Sequence, residues 1–162
     1  MAQVDKRRLL DHLLANLTAE LSRAKSQAED AASSATHEEN RAESDKDMRS
    51  TEASYVARGH AERTAKLEQA VALLSRMELR SFPAGAPIEA SALVTLAQPG
   101  KSVTYFLVVA AGGERIEFEG NVLQTLATTS PLGQALLGLS QGDDAELESA
   151  QGTRIYRITS VT

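Results

Sequence analysis

Apolar positions in the first half of the chain recur in alternating steps of four and three: Leu10, Leu14, Leu17, Leu21, Ala24, Ala28, Ala31 and Ala35. A repeat averaging 3.5 residues is the spacing of a coiled-coil seam, because it keeps one stripe of side chains turned toward a partner helix. A second seam passes through Ala53, Val56, His60, Arg63, Leu67, Ala70, Leu74 and Met77. Between them Ser44 to Thr51 lacks apolar periodicity, and Ser50 or Thr51 can cap a second helix. The pattern predicts an antiparallel hairpin over 1–80. Pairing about that turn sets Leu21 near Leu74 and Ala28 near Leu67, with bulky side chains at the base and alanines toward the tip. A first helix of roughly 40 residues would be ~60 Å long. So long and thin an arm reads as a reaching device, with His60 and Arg63 as polar contacts that fix the pairing register.

From Phe82 onward the periodicity changes. All four prolines and all but one of the ten glycines lie here, between Val-, Ile- and Thr-rich runs of strand length. Strands are expected near 88–96, 102–110, 115–119, 123–128, 145–149 and 153–160, with turns at Pro99-Gly100, Gly112-Gly113, Gly142-Asp143 and Gln151-Gly152. One helix interrupts them. Ser130 is its N-cap, Pro131 its first residue, Leu132, Leu136 and Leu137 its apolar face, and Gly138 its stop. Pro83, Gly85 and Pro87 mark 81–87 as a linker. The expectation is an α+β chain, with a hairpin over 1–80 and a β domain over 88–162.

Composition narrows the chemistry. No cysteine is present among the 162 residues, which excludes disulfides, thiolate nucleophiles and zinc-thiolate sites and fits a cytoplasmic protein. The longest apolar runs fall far short of a membrane span. A net charge of −5 disfavours direct nucleic-acid binding, which depends on Lys and Arg neutralising phosphates. Any contact with RNA or DNA is expected through another protein. Aromatic residues are only 4% of the chain, too few and too scattered for an aromatic-walled prolyl isomerase pocket. Ser130 has no histidine in its module to activate it as a nucleophile. His37, Glu38 and Glu39 are adjacent on a helix and point in different directions, which argues against a shared metal. The polar break between the seams argues for an intrachain hairpin and a monomer over a coiled-coil homodimer.

Thr129-Ser130-Pro131-Leu132-Gly133-Gln134-Ala135-Leu136-Leu137-Gly138, followed by Gly142-Asp143-Asp144, closely resembles the C-terminal signature of the GreA/GreB transcript-cleavage factors. Ala145 to Glu148 and Arg154 to Ile158 fit the closing hairpin of that signature. With the helical half, the resemblance covers nearly the whole chain. It implies an FKBP-like antiparallel β domain with one short helix that docks on RNA polymerase, partly through Ser130 and Pro131, and a hairpin that enters the polymerase's secondary channel. It further implies that acids at the hairpin tip complete the coordination of a magnesium ion in the polymerase active site, so that backtracked RNA is cut. The factor then has no catalytic residue of its own. Magnesium takes hard oxygen ligands and is commonly held by one or two carboxylates plus phosphate, and two such metals support phosphodiester hydrolysis.

Candidate ligands at the tip are Glu43, Asp45, Asp47 and Glu52, and Tyr55 matches the family's tip tyrosine, a packing residue. The family tip reads approximately Asp-Leu-Ser-Glu-Asn-Ala-Glu-Tyr; an alternative aligns Glu39-Asn40 with Glu-Asn and needs Arg41 as an insertion, and Met48 to Tyr55 is its best anchor here. On that anchor the two functional acids fall on Met48 and Thr51, with Asp47 and Glu52 flanking them. Arg41, Lys46 and Arg49 dilute the negative charge. This departure implies an alternative: a secondary-channel regulator that modulates or inhibits transcription without stimulating cleavage.

Overall fold

The computed structural model describes residues 3–41 and 48–162, and the side chains of 3–37 and 51–162. Helix α1 spans Lys6–Arg41 and α2 spans Met48–Ser75. They are followed by β1 (Leu93–Gln98), β2 (Lys101–Val108), β3 (Arg115–Phe118), β4 (Asn121–Ala127), α3 (Pro131–Leu136), β5 (Asp144–Ser149) and β6 (Gly152–Val161). This is the expected helical hairpin followed by a β domain with one short helix. Contacts divide the chain into two compact units, Leu14–Ala72 and a second formed by Met1–Leu13 with Leu73–Thr162.

In the helical unit, ion pairs join the arms: Arg63 Nη2 to Glu20 Oε1 at 2.8 Å and Lys25 Nζ to Glu68 Oε1 at 2.9 Å. Glu20 lies well before the end of α1 and Arg63 well into α2, so with only 42–47 between the helices the second must run back along the first. The α1 seam follows its expected positions. Leu17, Ala24 and Ala35 are buried, and Leu14, Leu21, Ala28 and Ala31 half-buried. The α2 seam is corrected in one of its two rows. Ala53, His60 and Leu67 turn inward as expected, but Val56 is 54% exposed and Arg63 is exposed, whereas Ala57, Thr64 and Val71 are half-buried. At Ala57 and Thr64 the inward position comes four residues after the first-row member instead of three, while Ala70, half-buried, and Met77, buried, keep their expected places. Both rows mix small and polar residues, so apolar spacing alone does not separate them.

The other unit is built on a six-stranded sheet in the order β3-β4-β2-β1-β6-β5. Four of its five pairings are antiparallel, but β2 with β4 is parallel, so the sheet is mixed instead of antiparallel throughout as expected. The chain leaves β2, turns through Ala111-Gly112-Gly113, lays β3 at the edge, and returns β4 into the gap beside β2. Gly112 is needed for that path, because a Cβ there would lie 2.5 Å from the Ala127 nitrogen.

One sheet face packs Val94, Leu96, Leu107, Tyr156 and Ile158 with Ile88 and Leu136 of the α3 region. On the opposite side of β2, Phe106 is fully buried, as are Leu9, Leu10 and Leu13 at the start of α1 and Leu74 at the end of α2. At ~1.5–3 kcal/mol per buried large side chain, these buried side chains carry most of the hydrophobic stabilisation of this unit.

Two sequence boundaries move. Helix α2 stops at Ser75, short of the expected Arg80, because the Arg80 N–H donates to Ser91 Oγ at 2.9 Å and its carbonyl accepts from Lys6 Nζ at 2.8 Å. Residues 88–92 form a turn instead of the start of a strand. Ser91 sits there with φ of 74°, fully buried, its N–H donating to the Leu107 carbonyl.

Candidate partner-binding site

The clearest built feature among the sequence-derived candidates is the start of α3. Ser130 is in extended backbone, with φ of −71° and ψ of 157°, and its Oγ accepts from the Gly133 N–H at 3.1 Å. The same hydroxyl donates to the Ala127 carbonyl at 2.7 Å, tying the helix start to the end of β4. Pro131 follows at the first helical position and is exposed. Gly133 lets the helix lie on β4, since a Cβ there would fall 2.1 Å from the Ala127 oxygen. Leu136 turns into the core, while Leu137, expected on the same apolar face, is 40% exposed. With six residues, α3 has a single inward turn and its cap residue faces out.

The loops around α3 are fixed by backbone bonds. Ile88 N–H donates to the Leu139 carbonyl at 2.8 Å, and Gly138 N–H to the Ile88 carbonyl at 2.9 Å. Ser140 Oγ donates to the Gly85 carbonyl at 3.1 Å, so the expected linker 81–87 is fastened to the segment after α3. The face made by Pro131 and Leu137 is therefore a preformed surface held by satisfied hydrogen bonds. Burial pushes the nearby core phenol of Tyr105 above its ordinary range, and the neighbouring Tyr156 adds to the shift.

A second cluster joins α1 to the chain after α2. Lys6 Nζ lies 4.4 Å from the centre of the Phe82 ring, while Arg8 pairs with Glu119 and His12 stacks at 5.6 Å on Phe118. Half-burial brings the Lys6 ammonium down to about 8 from its ordinary 10.5, and the Phe82 face and the Arg80 carbonyl are what remain to stabilise its charge. These contacts escaped the sequence reading. The available signal was the four-leucine cluster Leu9, Leu10, Leu13 and Leu14, too wide for a two-helix seam.

Of the four candidate metal ligands, Glu43, Asp45 and Asp47 lie outside the described residues. Glu52 stands exposed on α2. Tyr55, expected to pack at the tip, is 67% exposed, so most of its ring faces solvent. Among the described residues no group of three or more His, Cys, Asp or Glu could hold a metal ion. No helix among them is long and apolar enough to cross a membrane.

A mixed six-stranded sheet with a Ser-Pro-capped helix, preceded by a helical hairpin, defines a two-part α+β protein that presents preformed surfaces. Residues 87–162 match the family model "Transcription elongation factor, GreA/GreB, C-term", which makes this part of the chain a GreA/GreB C-terminal domain. That family is one of transcription elongation factors, and the match covers the sheet-bearing part of the chain. No curated protein sequence matches. Similar solved structures include GreA factor homolog 1 of Thermus thermophilus, at 20% identity over 92% of this chain and 94% of that one with a TM-score of 0.36. Gfh1 of Thermus aquaticus aligns at 20% identity over 91% of this chain and 92% of that one, TM-score 0.37. A GreA/GreB factor of Nitrosomonas europaea aligns at 24% identity over 59% of this chain and 78% of that one, TM-score 0.36.

Proposed function

We propose that this chain binds RNA polymerase as a monomer, enters its secondary channel and stimulates cleavage of backtracked RNA, without a catalytic residue of its own. The observation that carries the reading is the match of residues 87–162 to the GreA/GreB C-terminal domain. In sequence, Glu43, Asp45 and Asp47 fall between α1 and α2, and Glu52 lies one turn into α2. In this reading Ser130 and Pro131 belong to the docking surface: Ser130 by shaping it, since its hydroxyl is used internally, and Pro131 by contact. The carboxylates offer hard oxygen ligands to a magnesium ion of the polymerase, the ligand type that ion requires. Nucleic acid is reached only through the polymerase, as the net charge of −5 favours.

The test is a purified backtracked elongation complex with magnesium. Adding the protein shortens the transcript from its 3′ end, and no shortening at saturating protein refutes the reading.

One observation favours a second reading. On the Met48–Tyr55 anchor of the family tip, Met48 and Thr51 stand where its two functional acids would fall, and Arg41, Lys46 and Arg49 lie close by in the chain. A factor with displaced carboxylates would occupy the channel and lower initiation instead of assisting cleavage. Reduced run-off synthesis without transcript shortening selects this reading.

A further inference from the structure

The sheet face that carries Leu93 and Phe106 holds a row of hydroxyls with no part in the reading above. Ser160 of β6 stands opposite Thr95 of β1, Thr95 opposite Thr104 of β2, and Thr104 beside Leu123 of β4. Adjacent strands are about 4.8 Å apart, so three hydroxyls lie in line across three strands and end on a leucine. The Thr95 and Thr104 Oγ1 atoms are 2.9 Å apart, and that bond uses one of their two protons. The Ser160 and Ser102 hydroxyls make no hydrogen bond among the described residues, and both line the same cavity.

That cavity measures about 470 Å³, within the roughly 300–1,000 Å³ typical of small-molecule sites. Leu93, Leu123 and Val122 give it an apolar side, and Asn121 adds an amide. No lining residue carries a charged side chain, although 24% of the chain is Asp, Glu, Lys or Arg. An anion entering it would lose hydration with no counter-charge in return. Hydroxyls both donate and accept, so a row of them is best matched by another row of hydroxyls. The apolar side suits a ring face made of C–H groups.

We propose that this cavity binds a small uncharged polyhydroxyl ring, a glycoside in chemical class, with its hydroxyls on the Ser160, Thr95 and Thr104 row and its C–H face on Leu123 and Val122. Charge exclusion sets the specificity, and binding is independent of the polymerase.

The test is a titration of the isotopically labelled full chain with methyl β-glucopyranoside, followed through backbone amide NMR shifts. Saturable shifts confined to the cavity residues are expected, with at least tenfold weaker binding of methyl β-glucuronide, the same ring bearing a carboxylate. Replacing both partners of a hydrogen bond together is nearly neutral for stability. The double variant Thr95→Val with Thr104→Val therefore keeps the wild-type unfolding temperature and loses glycoside binding at least tenfold. Ser160→Ala, which disturbs no internal bond, weakens binding at least threefold and serves as a second check on the same row. Absence of localised shifts at ~50 mM glycoside, well above a millimolar Kd, overturns the proposal. So does equal binding of the glucuronide, or affinity unchanged in both variants.

Discussion

The two units of this chain solve the problem of stability by opposite means. The sheet unit buries Phe106, Leu107, Leu96, Ile158 and Leu136 completely, in two layers on either side of the sheet. The helical unit buries Leu17, Ala24 and Ala35 and otherwise relies on half-covered small side chains and exposed ion pairs. Exposed pairs contribute only ~0.2–1 kcal/mol each. Rigidity is thus concentrated in the unit that presents a surface, and the unit assigned the reaching role has little core. In the proposed function, precision of docking and ease of insertion call for these two different constructions.

The contrast is breakable, most strongly in the sheet. Phe106→Ala empties a fully buried ring site and is expected to lower unfolding free energy by about 3–5 kcal/mol, read by denaturant titration. A loss under 1 kcal/mol would mean the second sheet layer is not a core.

Adding a single methyl sharpens the comparison further, because the two units should answer with opposite signs. At Gly133 the new Cβ meets the Ala127 oxygen at 2.1 Å, so Gly133→Ala is expected to cost about 1–3 kcal/mol. At Gly59, inside α2, nothing lies within 4 Å of a new Cβ. Gly59→Ala is therefore expected to raise stability by about 0.5–1 kcal/mol through helix propensity alone.

The smallest expected effect is one of pH. The folded Lys6 amine titrates at about 8 against an ordinary 10.5, so between those values the unfolded chain binds more protons. Stability then rises with pH across that window. Compared with Lys6→Gln, the wild type should gain ground from about pH 8 to 10.5 and show no such trend below 8. A flat difference would mean that the Phe82 ring and the Arg80 carbonyl fully offset the desolvation.

How much of this was legible in the sequence depends on whether a feature is encoded locally. The Ser130-Pro131 start, the inward Leu136 and the strand ends at Gly100 and Gly152 follow from cap and turn chemistry within a few residues, and the structure places them as expected. The α1 seam was legible because its positions are all Leu or Ala. In α2, Ala57 and Thr64 compete with Val56 and Arg63 for the inward row, and only the partner helix selects between them. The parallel pairing of β2 with β4 and the turn at Ser91 depend on groups far along the chain, beyond any local pattern. At the candidate site, the α3 surface was legible from its motif. The acids of the hairpin connection were legible as residue types, while the assignment of a ligand among them requires geometry that lies outside the described residues.

The central claim is that the sheet unit holds the protein on the polymerase while carboxylates between α1 and α2 supply its activity. Its most direct measurement compares the wild type with Asp45→Ala/Asp47→Ala on one stalled complex, scoring transcript shortening and polymerase affinity together. The account predicts that the variant binds within about twofold of wild type, a difference under ~0.5 kcal/mol, and releases no RNA fragment. Fragment release at the wild-type rate by that variant would contradict it.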